Sequence, residues 1–287
     1  MALDVDAVMN WPFEDVEQRY TVRDSILYAL GVGFGHDPLD RADLPFVFEE
    51  PQLQAVPTMA VVLAGPGFWV RDPRSGVDWT KVLHGEQGLT LHRPLPAEAT
   101  VIGRTRVTGI LDKGPGKGAL IFSERVIRDA DSGETLATCT STTFARGDGG
   151  NGGTLDSAPA PHALPDRAAD QIVDLPTLPQ SALIYRLSGD PNPLHASPDV
   201  AAKAGFKAPI LHGLCTLGVA GHAILRAACD NDPARLGSMN LRFSSPVYPG
   251  ETIRTEIWRD GGTVSFRSRV LERDLVVLNN GHAVITN

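Results

Sequence analysis

Residues 213–229 read Gly-Leu-Cys-Thr-Leu-Gly-Val-Ala-Gly-His-Ala-Ile-Leu-Arg-Ala-Ala-Cys. Nearly every position is apolar or small, with Leu214, Leu217, Ile224 and Leu225 as the bulky members. A helix that is apolar around most of its circumference has no face to offer water, so it belongs inside a protein. Four runs rich in Val, Ile, Thr and Phe follow it: Ser238–Phe243, Thr252–Arg259, Thr263–Glu272 and Leu275–Thr286. Such residues favour pleated, half-buried strands, and Asp260-Gly261-Gly262 reads as the turn of a hairpin. The pattern gives an α+β fold, with one buried helix packed on an antiparallel sheet.

The first half of the chain echoes the second. Asp24-Ser-Ile-Leu-Tyr28 begins like Gln180-Ser-Ala-Leu-Ile-Tyr185, Arg93–Glu98 parallels Pro246–Glu251, and Phe122–Val126 parallels Phe266–Val270. The offset shrinks from 157 residues at Tyr28 and Tyr185 to 144 at Val126 and Val270. Duplication followed by loop changes leaves this drift, and two copies are too few for a solenoid. Strand-like runs in the first half span Thr100–Val107, Ala119–Arg128 and Glu134–Ala145. Five glycines crowd residues 147–153, within a Gly-, Pro-, Ala- and Asp-rich stretch. The expected division is a first copy at 1–145, a linker at 146–170 and a second copy at 171–287. The buried helix has no clean counterpart in the first copy. Residues 57–70 fall where it is expected, and Gly65-Pro66-Gly67 should break it.

Composition narrows the function. A chain of 287 residues with 42% hydrophobic and 21% charged residues can build a packed core. A net charge of −8 argues against general binding to nucleic acid or to an anionic membrane, while leaving room for a local basic patch. Cys139, Cys215 and Cys229 are far apart and odd in number, which suits a reduced, cytoplasmic setting without a disulfide framework or a metal motif. The first residues, Met-Ala-Leu-Asp-Val-Asp, read as no signal peptide, and no apolar run reaches the ~20 residues that span a bilayer. Neither a zinc spacing nor a dinucleotide glycine fingerprint is present, and Gly114-Pro-Gly-Lys-Gly118 lacks the ending of a P-loop, so no cofactor is expected.

Chemistry concentrates at Tyr185-Arg-Leu-Ser-Gly-Asp-Pro-Asn-Pro-Leu-His195. Gly189, Pro191 and Pro193 exclude a regular helix. A stiff loop then carries a carboxylate, Asp190, and an imidazole, His195, which could hold one water between two proton-transfer groups. Read alone, Asp190 could equally cap a turn and His195 fill space. Asn192 could bond the histidine or the backbone. Ser197-Pro198-Asp199 reads as an N-cap, a first-turn proline and a first-turn acid. Gly213 opens the buried helix, where N–H groups lack partners and the dipole is positive. His212 reads as a structural histidine. The first half has no matching dyad: Tyr28 is followed by Ala-Leu-Gly-Val-Gly, and His36-Asp37 stand in the wrong order.

The same loop, together with Pro209-Ile-Leu-His-Gly-Leu-Cys215, Arg242-Phe243 and Pro246–Gly250, resembles the signature of the hydratase 2 family. These are the (R)-specific enoyl-CoA hydratases of the MaoC-like dehydratase group. Leu83-His-Gly-Glu-Gln87 and Leu111-Asp-Lys-Gly114 extend the resemblance into the first half. It implies a double hot-dog fold, with two antiparallel sheets each wrapping a central helix and the first helix remodelled to leave room for a bulky acyl chain. It implies hydration of a trans-2-enoyl-CoA to a (3R)-3-hydroxyacyl-CoA by Asp190 and His195, with the Gly213 N–H as oxyanion donor. His84, Gly85, Lys113, Asn192 and Phe243 are then substrate-binding residues, and the protein is a homodimer. The alternatives are dehydration of acyl-carrier-protein or steroid side-chain CoA thioesters, a non-catalytic acyl-CoA-binding protein, and a thioesterase on the same fold.

Overall fold

The computed structural model describes residues 2–286. A short helix α1 (Val5–Met9) precedes strand β1 (Val16–Tyr20), helix α2 (Val22–Gly31) and helix α3 (Leu44–Val47). Four long strands complete the first copy: β2 (Val82–Leu91), β3 (Ala99–Asp112), β4 (Ala119–Asp129) and β5 (Thr135–Ala145). The second copy holds β6 (Gln171–Pro176), α4 (Ser181–Tyr185), α5 (Pro198–Lys203), α6 (Gly213–Ala228), β7 (Leu236–Phe243), β8 (Thr252–Asp260), β9 (Thr263–Val270) and β10 (Leu275–Ile285). All ten strands form one antiparallel sheet in the order β1-β3-β4-β5-β2-β7-β10-β9-β8-β6. The expected α+β double hot-dog is thus present. Its two five-stranded halves join where β2 pairs with β7, from Glu86↔Arg242 to Thr90↔Ser238.

Helix α6 runs as its composition requires, with twelve of its residues buried from Cys215 to Ala228. It packs on β6, β7, β8 and β10 and touches residues 57–62 of the first copy. Two glycines permit that approach. A Cβ at Gly218 would stand 2.4 Å from Val32 Cγ1, and one at Gly221 would stand 2.5 Å from Thr58 Cγ2. Emptying such a core is costly: a buried Leu→Ala change at Leu217 should lose about 2–5 kcal/mol.

The first copy departs from expectation in one respect. Gly65-Pro66-Gly67 is not what ends its helix. Residues Pro57–Val62 already form a 3₁₀ helix, and Ala64 takes a left-handed φ of 47°. Pro57 at the first position is compatible with a helix, so the shortening follows instead from the paired β-branched Val61-Val62 and the left-handed Ala64. Arg125 then takes up freed carbonyl groups, donating to Val61 O at 2.7 Å. Strands β1, β2 and β6 carry polar or charged interiors and give no strand signal in the sequence.

The Gly-rich stretch after β5 is anchored to the sheet. Thr154 N–H donates to Ile110 O at 2.8 Å, and Asp112 Oδ1 accepts from the N–H of Gly150 at 2.7 Å. The echoing tyrosines meet at the junction of the copies, with Tyr28 and Tyr185 ring centroids 5.8 Å apart. Cys139, Cys215 and Cys229 are free and buried. No helix among the described residues is long and apolar enough to cross a membrane.

Candidate functional site

The loop after α4 is built from two consecutive Asx turns. Asn192 N–H donates to Asp190 Oδ1 at 3.1 Å, and Leu194 N–H donates to Asn192 Oδ1 at 3.0 Å. Pro193 opens a single 3₁₀ turn, Pro193–His195, that delivers the imidazole inward, where the residue is 8% exposed. Asn192 itself is exposed, and its side-chain oxygen is spent on the turn. Its observed role is therefore to shape the loop. Ser197 caps α5 as expected, accepting from Val200 N–H at 3.4 Å.

His195 Nδ1 lies 2.8 Å from the carbonyl oxygen of Ile210. A carbonyl can only accept, so Nδ1 carries the hydrogen and Nε2 keeps its lone pair. Burial pushes the His195 pKa below the ordinary histidine value, against the opposing influence of the Ile210 carbonyl and the Asp190 charge. The ring is a neutral base at pH 7.

Sequence reasoning misses one partner. His212 stacks on His195 with ring centroids 3.7 Å apart at 28°, and its Nε2 lies 3.2 Å from the Asp190 carbonyl oxygen. Tyr185 packs against it as well, with centroids 5.1 Å apart. Burial, reinforced by the neighbouring His195, drives the His212 pKa down. Its Nδ1 is buried without a partner. Nothing in the local sequence marks this contact, because 17 positions separate the two histidines. One ligating atom each from Asp190, His195 and His212 lie within 4.8 Å of one another. Among the described residues these three side chains are the group best placed to hold a cation.

Gly213 is the first residue of α6, so its N–H has no carbonyl one turn back to reach. A Cβ there would come within 3.2 Å of the Phe243 ring. Phe243 in turn lies 4.8 Å from the ring of His84, on β2 of the other copy. A bulge between His84 and Glu86, at Gly85, interrupts the β2–β5 register and re-aims the histidine. A Cβ at Gly85 would stand 3.2 Å from the Thr142 carbonyl oxygen. Desolvation lowers the His84 pKa, against smaller raising influences from the Glu86 backbone, the Gln87 side chain and the Asp190 charge. Glu86 then clasps Arg242, whose Nε lies 2.9 Å from Oε1, and this pair pins β2 to β7 beside the site.

Asp190, His195, Gly213, Phe243, His84 and Gly85 therefore gather at the junction of the two copies. Lys113 does not. It is exposed at the end of β3, with its ammonium 4.8 Å over the Phe144 ring. Next to the loop, a cleft of about 100 Å³ opens between the copies, lined by Tyr20, Leu27, Met59, Val62 and Leu63 on one side and Leu187–Gly189 on the other.

Known proteins resemble this chain over nearly its whole length. The family model described as MaoC like domain matches residues 161–280, and that of the MFE-2 hydratase 2 N-terminal domain matches residues 18–147. The chain is 42% identical to 3-hydroxyacyl-thioester dehydratase Y of Mycobacterium tuberculosis, covering 98% of each chain. It is 38% identical to the probable enoyl-CoA hydratase 2 of Dictyostelium discoideum, covering 99% of this chain and 97% of that one. The crystal structure of a MaoC-like dehydratase from Phytophthora capsici superposes with a TM-score of 0.87 at 37% identity, covering 99% of both chains. The chain belongs to the MaoC-like dehydratase family, in its hydratase 2 branch, and is a hydro-lyase.

Proposed function

We propose that the chain catalyses the reversible addition of water to a trans-2-enoyl-CoA, giving a (3R)-3-hydroxyacyl-CoA. The observation that carries this reading is the His195 ring, held by the Ile210 carbonyl so that an unprotonated Nε2 stands beside Asp190. A water between them is oriented by the carboxylate and loses a proton to Nε2 as its oxygen bonds to C3. Electron density moves through C2 to the thioester oxygen, which the Gly213 N–H and the α6 dipole stabilise. C2 then takes a proton from the dyad. One water is added and both catalytic groups are restored. With the thioester oxygen held at Gly213, the water reaches one face of the double bond, so hydroxyl and proton add from the same side. The (3R) outcome follows the hydratase 2 resemblance.

The cleft beside Gly189 offers the acyl chain a path between the copies, with apolar Leu27, Met59, Val62, Leu63 and Leu187 beside polar Gln18, Asp24 and Ser188. The chemistry needs neither a metal nor an organic cofactor, so dialysis against a chelator should leave the rate unchanged; a rate restored by one specific metal would overturn that. We further propose a homodimer, testable by light scattering. Hydration in deuterated water tests the central reading, with product configuration resolved at C2 and C3. A (3S) product, or anti addition, contradicts it. The 42% identity to a 3-hydroxyacyl-thioester dehydratase supports the same chemistry run in the opposite direction. Activity confined to acyl-carrier-protein thioesters would favour that second reading.

A further inference from the structure

Four consecutive residues, Ile210 to Gly213, meet the groups that the reaction requires. The Ile210 carbonyl oxygen holds His195 Nδ1 at 2.8 Å. Leu211 N–H donates to the Val247 carbonyl oxygen at 2.7 Å, which ties the segment to the connection between β7 and β8. Gly213 presents its free N–H at the start of α6. Between them stands His212, whose side chain takes no part in the proton transfers.

That side chain belongs to a residue only 1% exposed, and it makes two contacts with the dyad loop. Its ring lies on the His195 ring, and its Nε2 lies 3.2 Å from the Asp190 main-chain oxygen. A carbonyl only accepts, so Nε2 carries the hydrogen. The other nitrogen, Nδ1, is buried without a partner. A proton there would make a buried charge with one N–H unpaired, so the ring stays neutral with a bare Nδ1. His195 is held in the opposite form, with its hydrogen on Nδ1. Two main-chain carbonyls thus lock two stacked rings in opposite tautomers.

This arrangement joins two parts that the chemistry needs at a fixed separation. The His212 carbonyl oxygen accepts from Thr216 N–H at 3.1 Å, so its backbone belongs to the first turn of α6 and leads directly into Gly213. Its side chain reaches back to both dyad residues. Misplacing reacting groups by about 1 Å can cost ~10²-fold in rate. A ring that merely filled this space would need no nitrogen, and an apolar one would leave no unpartnered Nδ1 in the interior. The Nε2–H contact is what a histidine adds.

We propose that His212 is a positioning residue, which clamps the Asp190–His195 loop to the start of α6 and so fixes the dyad relative to the Gly213 N–H. This rests on the enoyl-CoA reading above. The His212 ring face holds the plane of His195, and its Nε2–H holds the main chain at Asp190.

Two measurements test it. The first needs no substrate. Imidazole ¹⁵N NMR of the wild-type chain, assigned with His195→Gln and His212→Phe, reads which nitrogen of each ring is protonated. At pH 7 the expected result is Nδ1–H for His195 and Nε2–H for His212. A His212 ring protonated at Nδ1, or exchanging between the two forms, overturns the clamp. The second is kinetic. His212→Phe keeps an aromatic face and removes the donor, whereas His212→Gln keeps an N–H donor at about the same reach. The Phe variant should lose at least about tenfold in kcat with KM within about twofold, and the Gln variant should recover most of that loss. Near-native kcat in the Phe variant, a loss carried by KM alone, or a folded Gln variant as slow as the Phe variant overturns the proposal. If the Phe variant does not fold, the Gln variant and the wild-type spectrum decide. A wild-type chain that hydrates no enoyl-CoA would end the functional reading instead, and the spectrum would still decide the His212 contact.

Discussion

Helix α6 and residues 57–62 lie against the sheets of two copies of one fold, yet they are built differently. The first is a continuous sixteen-residue helix. The second is a six-residue 3₁₀ segment whose carbonyls are taken over by Arg125. The difference teaches how a duplicated fold divides labour. Chemistry needs a helix start with a free N–H and a stiff dyad loop beside it, and the second copy keeps both. The first copy's element is shorter, and its Val62 and Leu63 end against the cleft beside Gly189. The first copy contributes walls, His84 and the exposed lysine.

The comparison breaks first if the dyad is dispensable. Asp190→Asn and His195→Gln should each lower kcat by at least ~10²-fold with the melting temperature retained. His36→Ala, in the first copy's exposed loop, should leave kcat within about twofold, since no proton-transfer role falls there. Near-native turnover by either dyad variant would remove the division of labour.

Next comes the helix start. Gly213→Ala should cost up to ~10²-fold in kcat/KM, because its methyl meets Phe243 where the thioester must pass. Phe243→Leu in the same chain should recover part of that loss if crowding is the cause. No recovery would point to the N–H geometry itself.

Acid should sharpen the picture. A base must be neutral to act, and burial lowers the His195 pKa, so the acid limb of kcat/KM should lie below the ordinary value of about 6.5. The unfolded chain binds protons at His195 and His212 more readily than the folded one. Stability contributed by keeping them neutral is complete above about pH 6.5 and is lost as pH falls toward the lowered folded values. A pH–rate profile with melting curves checks both. A limb centred above about 6.5 would contradict burial as the dominant influence.

The smallest effect is expected at Lys113. Lys113→Ala should raise KM for CoA thioesters a few-fold with little change in kcat, the mark of uniform binding. A pantetheine thioester, which lacks the nucleotide, should show less. Equal loss on both would place the lysine's role in folding, through its contact with Phe144.

Much of this is legible in local sequence, for identifiable reasons. The run 213–228 has no polar face, so its burial follows from composition. Strands β8 to β10 announce themselves through β-branched residues and the Gly261-Gly262 turn. Strands β1 and β6 do not, because edge strands can be polar. Strand β2 hides behind His-Gly-Glu-Gln-Gly, whose glycine and charges serve the bulge and the Arg242 clasp. The dyad loop is legible as a stiff turn, and its two Asx bonds are what Asp-Pro-Asn-Pro leads one to expect. Asn192 satisfies the turn, a choice that local sequence leaves open.

By itself, then, the sequence determined the buried helix, the β-branched strands and the stiffness of the 189–195 loop, because proline, glycine and hydrophobic period act over a few neighbouring residues. Only the tertiary structure decided that His212 stacks on His195, that His84 meets Phe243 of the other copy, and that Lys113 lies over Phe144, the cross-strand partner of Leu83. Those outcomes depend on how two sheets join and how closely α6 can approach. Contacts of that kind are set by packing between residues far apart in the chain, which no local pattern encodes.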